Sequence, residues 1–580
     1  MTQSGGEVIA SILKNHHIPC IFTLCGGHIS PILVASKAAG IRIIDVRDEA
    51  NAAFAADAFA RLTGIPGVAV VTAGPGVTNT VTPLKNAQMA QSPLVLFGGA
   101  AATIIKGRGS LQDIDQVSLL QSIVKLTVTI NQNCDLVPVI EHAFQVAQSG
   151  TPGPVFVECP IDLLYSEEMV REWYGAKPET ESGMGIKSKL YQFYLDRHVN
   201  RMFACDYDAM QPAPEIVTAP GLKPERVAKA VRLLKKTERP VLIIGSQAML
   251  RQAEVEILAQ TVAELGIPVY LAGMARGLLG RSHRLHMRHR RGFALKQADL
   301  VLLAGMPCDF RLGYGRSINS KATLVSVNRS KADLNLNRKP ELGVLADPCD
   351  FLIALGTRFE NSSNRFEPWI QALADSNLQR EQEISATAAE KTDFINPLAF
   401  LKQLDAFLDD NCLIVADGGD FVATASYIMQ PRSPLSWLDP GVFGTLGVGA
   451  GFALGARLSR PDKEIWLIYG DGAAGYSLQE MDTFVRHGLP VIAVVGNDGS
   501  WAQIARDQVE VLNDDVGTVL NRTAYHQVVE GFGGRGFLLE AAEQIPAVLA
   551  EARDTARKGI PVLINVLIGK TDFRKGSISM

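Results

Sequence analysis

Two runs decide how this chain folds: Trp466-Leu467-Ile468-Tyr469-Gly470-Asp471-Gly472 and Val494-Val495-Gly496-Asn497-Asp498-Gly499. Each is a short apolar stretch that ends in a glycine-punctuated turn, the pattern of a strand buried on both faces. The segment between them reads as a helix over Ser477–His487. Strand, helix, strand in this spacing makes a parallel βαβ unit, with Asp471 and Asn497 at the carboxyl ends of neighbouring strands. Open α/β sheets bind their ligands at those ends.

The residue types there suit one chemistry. A hard cation of the Mg²⁺ type takes oxygen ligands in a near-octahedral set, usually shared with phosphate oxygens. The Asp471 carboxylate, the Asn497 amide oxygen and a backbone carbonyl at Gly499 supply three. Gly470, Gly472 and Ala473 let backbone N–H groups approach a diphosphate at a helix N-terminus, where negative charge is favoured.

Outward from this unit the same rhythm recurs in three regions. Apolar runs fall at 20–24, 41–46, 67–72 and 93–97, then at 240–244, 268–271, 300–304 and 322–327, and last at 412–416, 464–468, 490–495 and 561–567. The fold class is therefore α/β, with three doubly wound parallel-sheet domains. Polar stretches over 166–222 and 358–395 read as linkers, so the domains are expected at 1–165, 223–357 and 396–580.

With 580 residues the chain is too long for one hydrophobic core. Lys plus Arg number 56 against 60 Asp plus Glu, a net charge of −4, which gives no footprint for a nucleic-acid partner. No apolar run reaches the length of a bilayer span, and the N-terminal MTQSGGEVIA has neither basic flank nor apolar core. A cytoplasmic protein without a membrane partner is expected. The eight cysteines show no CxxC pairing; buried thiols in a reducing compartment are expected, and no zinc site.

A second informative segment lies upstream: Asp45-Val46-Arg47-Asp48-Glu49-Ala50, running into the alanine-rich stretch that ends at Gly64. Read alone, Glu49 is either a reactive carboxylate or one that stabilises a helix N-terminus. Taken with the Asp471–Asn497 unit, the segment resembles the glutamate segment of thiamine diphosphate-dependent enzymes, whose cofactor also requires Mg²⁺. Where that family usually ends its metal motif in Asn-Asn, this chain has Asn497-Asp498. The resemblance implies that Glu49 faces N1′ of the aminopyrimidine and promotes loss of the C2 proton. Thr72-Ala73-Gly74-Pro75-Gly76-Val77-Thr78-Asn79 resembles the segment that packs around the pyrimidine. Gly444-Thr445-Leu446-Gly447 resembles the turn that props the cofactor in a bent shape. Asp417-Gly418-Gly419-Asp420-Phe421 lies where relatives contact the diphosphate, so Asp420 and Phe421 are cofactor-binding candidates. The domains would follow the family order: pyrimidine-binding, central, diphosphate-binding.

Within this family Gly109-Ser110-Leu111-Gln112-Asp113 and Thr151–Glu158 resemble the acetolactate synthase-like branch. Four stretches are closer to the 2-hydroxyacyl-CoA lyases: 26–31, Met274–Gly280, Cys308–Leu312 and 569–578. The resemblance implies cleavage of a 2-hydroxyacyl-CoA to an aldehyde or ketone and formyl-CoA, and the reverse condensation. The alternatives are an acetolactate synthase-like carboligase or decarboxylase acting on a 2-oxo acid, and an oxalyl-CoA decarboxylase-like enzyme. His28, with an ordinary pKa of about 6.5, suits a proton shuttle near C2, and Gln112 a polar contact to the reacting oxygen. For an acyl-CoA the candidates are Arg276, the basic run 281–291, Arg311, Phe573 and Arg574. ADP or CoA is the expected occupant of the central domain, ahead of FAD. The tail 570–580 would close over the site. A homodimer or homotetramer is expected.

Overall fold

The computed structural model describes residues 3–175, 186–205, 219–359 and 365–576. Sheet one holds β1 (Cys20–Thr23), β2 (Arg42–Asp45), β3 (Gly67–Val71), β4 (Leu94–Ala100), β5 (Leu126–Thr129) and β6 (Pro154–Pro160) in the order β2-β1-β3-β4-β6-β5. Sheet two holds β7 (Pro240–Ile244), β8 (Val269–Leu271), β9 (Leu300–Ala304), β10 (Thr323–Asn328) and β11 (Leu342–Leu345), ordered β11-β10-β9-β7-β8. Sheet three holds β12 (Cys412–Ala416), β13 (Trp437–Leu438), β14 (Glu464–Gly470), β15 (Ile492–Asn497), β16 (Arg535–Leu539) and β17 (Val562–Leu567), ordered β13-β12-β14-β15-β17-β16. Every strand pairing within these sheets is parallel. The expected three-sheet α/β architecture is the one observed. Sheet one lies in one compact unit; sheets two and three lie together in another.

The apolar runs became strands because both sheet faces are covered by helices. The central strands β3, β4, β6, β7, β9 and β12 are buried along their whole length. Five strands fell outside the twelve runs. β6 was reached only through the resemblance of 151–158. β5, β11, β13 and β16 all lie at sheet edges, where the apolar signal is weak: β5, β11 and β16 have partly exposed positions, and β13 is only two residues long.

Two other expectations are corrected. The helix placed at Ser477–His487 begins at Asp471, directly on the strand, and breaks in two: Asp471–Ser477 and Glu480–Arg486. Small residues from Gly472 to Gly475 carry the first turn, so no apolar periodicity marked it. Nor are all the cysteines unpaired buried thiols. Cys134 and Cys205 form a disulfide across a sequence separation of 71, and Cys25 is exposed. Cys134 lies in the turn after β5 and Cys205 just after the Ile186–Met202 helix, and sequence spacing cannot reveal such a pairing.

The 358–395 linker holds one long helix, Glu367–Ala388. Its acids take up much of the basic run expected to face a ligand. Arg284 pairs with Glu367, Arg288 with Glu381 at 2.9 Å, and Arg290 with Glu383. Arg281 pairs with Asp405 on the following helix, at 3.1 Å. Arg284, Arg288 and Arg290 are thus tied to the linker helix, and Arg281 to the helix after it. No helix of the described residues is long and apolar enough to cross a membrane.

Candidate functional site

In sheet three the chain order reverses between β12 and β14, so the crevice at their carboxyl ends is the switch point. Asp471 leaves β14 there. Its Oδ1 accepts the Gly472 N–H at 2.9 Å and its Oδ2 the Gly499 N–H at 2.8 Å. Burial pushes its pKa up against those donors. Asn497 ends the neighbouring β15, fully buried. Its Nδ2 donates to Thr523 O and Asn565 Oδ1, both at 3.1 Å, while its Oδ1 has no partner among the described residues. Gly499, with a φ of +68°, turns the chain back; its carbonyl accepts the Leu520 N–H at 2.8 Å. Asp498 is held by the Ser500 N–H at 3.0 Å, its pKa raised to about 7 by burial and by the neighbouring Asp471 charge.

Across the crevice, Asp417 follows β12. It accepts the N–H groups of Gly447 at 2.9 Å and Gly449 at 2.6 Å, and burial raises its pKa to about 7. That clamp fixes the turn that begins at Gly444, whose φ is +66°, and carries Leu446. The Leu446 side chain lies so close over Gly418 that a Cβ there would sit 2.4 Å from it. Gly472 has a similar reason: a Cβ would meet the Trp501 ring at 2.5 Å. Gly470 caps the Asp471–Ser477 helix and Ala473 is buried in its first turn. The Phe421 ring packs over Gly496 in the core, so this residue presents only backbone to the crevice. Asp420 opens the Asp420–Ile428 helix with its carboxylate paired to Arg506 and 3.9 Å from Arg574.

Sheet one has its own switch point, between β1 and β3. His28, after β1, meets Thr72, after β3, with Nδ1 3.3 Å from Thr72 Oγ1; burial lowers the imidazole pKa. Glu49 starts the Glu49–Thr63 helix, whose cap is supplied by Asp48 accepting the Ala50 N–H at 2.8 Å. The Glu49 side chain is buried, and its Oε2 accepts from Asn79 Nδ2 at 2.9 Å. Gly74 and Gln112 are neighbours: a Cβ on Gly74 would lie 2.7 Å from the Gln112 carbonyl oxygen. Gln112 itself holds a left-handed conformation, φ +62°, rare for a residue with a side chain. Thus Glu49, His28, Gly74 and Gln112 gather in the first unit, and Asp471, Asn497, Gly499, Leu446 and Asp420 in the second.

The second unit also contains a cavity of about 350 Å³ beside β8. Arg276 and Arg311 line it, with Tyr270, His286, Arg291 and Tyr427. Arg276 donates to Ser426 O at 2.8 Å and stacks over Trp437 at 4.8 Å; Arg311 pairs with Asp309 at 2.6 Å. Tyr427, which no motif marked, joins this cavity to the tail. Phe573 meets its ring edge-on at 5.8 Å and Arg574 lies over it at 5.3 Å. Only 570–576 of the expected lid fall within the described residues.

Three family models match the chain. Residues 3–119 match the family "Thiamine pyrophosphate enzyme, N-terminal TPP binding domain", 227–355 its central domain and 417–566 its C-terminal TPP binding domain. The chain belongs to the thiamine pyrophosphate enzyme family. It is 48% identical to "2-hydroxyacyl-CoA lyase 2" of Danio rerio over 583 residues, which cover 99% of this chain and 93% of that protein. The protein of the same name from Homo sapiens is also 48% identical, covering 99% and 92%. A "Probable acetolactate synthase" of Mycobacterium bovis is 34% identical over 98% of this chain and 96% of its own.

Proposed function

We propose that this chain is a thiamine diphosphate- and Mg²⁺-dependent carbon–carbon lyase that cleaves a 2-hydroxyacyl-CoA to an aldehyde or ketone and formyl-CoA, and runs the reverse condensation. The observation that carries the reading is full-length likeness to relatives of that name, in a chain whose Glu49, Asp471 and Asn497 are all in place.

The residues fit the metal. The Asn497 Oδ1 is buried without a partner among the described residues, which is costly unless something positive meets it. Asp471 and the Gly499 carbonyl each keep a lone pair beyond the N–H they accept. Asp471, Asn497 and Gly499 would hold Mg²⁺; the Gly472 N–H is taken by Asp471, and the Ala473 N–H in the next position of the helix would receive the diphosphate. Leu446, braced by Asp417, would support the thiazolium face.

When bound, thiamine diphosphate supplies a nucleophilic carbon that also stores the electron pair of the broken bond. The chain's part is to hold and move protons around it. Asn79 occupies Oε2 of Glu49, so Oε1, on the Gly76 side, is the oxygen that would hold a proton toward a bound aminopyrimidine. Burial lowers the His28 pKa and so favours the neutral imidazole, which can take the proton of the substrate 2-hydroxyl as the carbon–carbon bond opens. Gln112 offers its amide to that same oxygen. The nucleotide end of CoA, or a separate ADP, occupies the cavity by Arg276, Arg311 and Tyr427. Phe573 and Arg574 close the tail towards it. The active unit is at least a homodimer with two-fold contacts.

Incubation with thiamine diphosphate, Mg²⁺ and a 2-hydroxyacyl-CoA tests the reading. Aldehyde and formyl-CoA are expected in equal amounts. No product from any chain length would sink it.

A further inference from the structure

One side chain in sheet one ties together the backbone behind both proton-handling candidates. Gln116, buried in the short Gln116–Leu120 helix, accepts the Gly74 N–H at 2.9 Å through Oε1. Its Nε2 donates to the Gly99 carbonyl at 3.1 Å and to Glu158 Oε1 at 2.9 Å. The amide thus spends both of its donors and one acceptor lone pair inside the protein, so no N–H is left for a ligand.

What it holds matters. Gly74 is the residue on whose α-carbon the Gln112 backbone rests, 2.7 Å from where a Cβ would be. Gly99 is the wall behind His28: a Cβ there would sit 2.5 Å from the His28 Cβ. Movement at either glycine is therefore transmitted by contact to Gln112 or His28. Gln112 needs such support, because its left-handed backbone costs energy that the surroundings must supply. Glu158 anchors the arrangement from β6. Besides Gln116, it accepts from Thr129 Oγ1 at 2.7 Å and pairs with Lys106, which stands on the same loop as Gln112. That loop leaves β4 and ends at Gln116, so Lys106 and Gln116 secure both sides of Gln112 to one buried carboxylate.

We propose that Gln116 is a positioning residue for the reaction. It acts through Gly74 and Gly99 to hold Gln112 and His28 at the reacting oxygen, without touching substrate or cofactor. The inference rests on the roles given to Gln112 and His28 above.

The test is a double-mutant cycle with a structural readout beside it. Gln116→Met keeps length and removes the amide. At saturating thiamine diphosphate and Mg²⁺, kcat should fall about 100-fold, the scale of a misplaced catalytic group, with KM for the acyl-CoA within about threefold. Combined with Gln112→Ala, it should slow the enzyme little further than Gln112→Ala alone, because both changes remove the same alignment. In the ligand-free protein, amide hydrogen exchange should quicken at Gly74 and across the Gln112 loop. Fully multiplied losses, unchanged exchange at Gly74, or a defect confined to KM would each overturn the proposal. Should Gln116→Met fail to fold, Gln116→Glu carries the same cycle, since it keeps the acceptor for Gly74 and loses both donations. If the wild-type enzyme ignores 2-hydroxyacyl-CoA but converts pyruvate, the lyase reading falls. The cycle, run on pyruvate, still decides Gln116.

Discussion

Sheets one and three share a strand order, each with its switch-point crevice between the first and third of its six strands, yet the two crevices are built from opposite materials. In sheet one, side chains meet side chains: His28 on Thr72, Glu49 on Asn79. In sheet three, carboxylates meet backbone: Asp417 on Gly447 and Gly449, Asp471 on Gly472 and Gly499. The first arrangement suits moving a proton, since its groups are neutral or singly charged and near their partners. The second suits a cation and a phosphate, because it concentrates buried negative charge beside a helix N-terminus. Topology places a crevice; the residues flanking it decide its work.

The division of labour can be broken from either side. Asp471→Ala should have the largest effect, lowering thiamine diphosphate affinity by about 100-fold or more through loss of the metal. Calorimetric titration with and without chelator checks it, and equal affinity in the two proteins would leave Asp471 as a turn residue only. Glu49→Gln should act on the other quantity. Turnover is expected to drop by about 10²- to 10⁴-fold, with cofactor affinity and circular dichroism nearly unchanged; near-wild-type turnover would remove Glu49 from the mechanism. The smallest effect separates the two crevices by pH. Asp417 has a folded pKa of about 7, above its unfolded value of about 3.9. Its contribution to stability is therefore full below about pH 4 and is lost as pH rises through 7. The melting temperature of the ligand-free protein should show this decline, and Asp417→Asn should flatten it while lowering stability by about 1–3 kcal/mol through one mismatched N–H. An unchanged slope would mean that Asp417 is ionised throughout.

The two crevices also differ in how far the sequence discloses them. Asp471, Asn497 and Gly499 sit at the ends of two consecutive apolar runs, so local pattern and spacing were enough to place them together. Glu49 was visible for a similar reason, at a strand-to-helix turn. Gln116 was not, because its partners Gly74, Gly99 and Glu158 lie on three other strands or turns and come together only when sheet one closes. Tyr427 was hidden in an apolar helix segment until the cavity and the tail met across it. The basic run divides between two tasks that composition cannot separate: acids on the Glu367–Ala388 helix pair with Arg284, Arg288 and Arg290, while His286 and Arg291 line the cavity.

That pairing bears on how fast a ligand arrives. Long-range electrostatic steering needs a field that reaches beyond the surface, and it fades within about 8 Å at physiological salt. Arginines whose charge is cancelled by adjacent carboxylates project little of it, and the chain as a whole is slightly anionic. A polyanion entering the cavity by Arg276 meets its cations only at contact distance. Its association rate should then stay almost flat from low to high ionic strength, with discrimination expressed in how slowly it leaves.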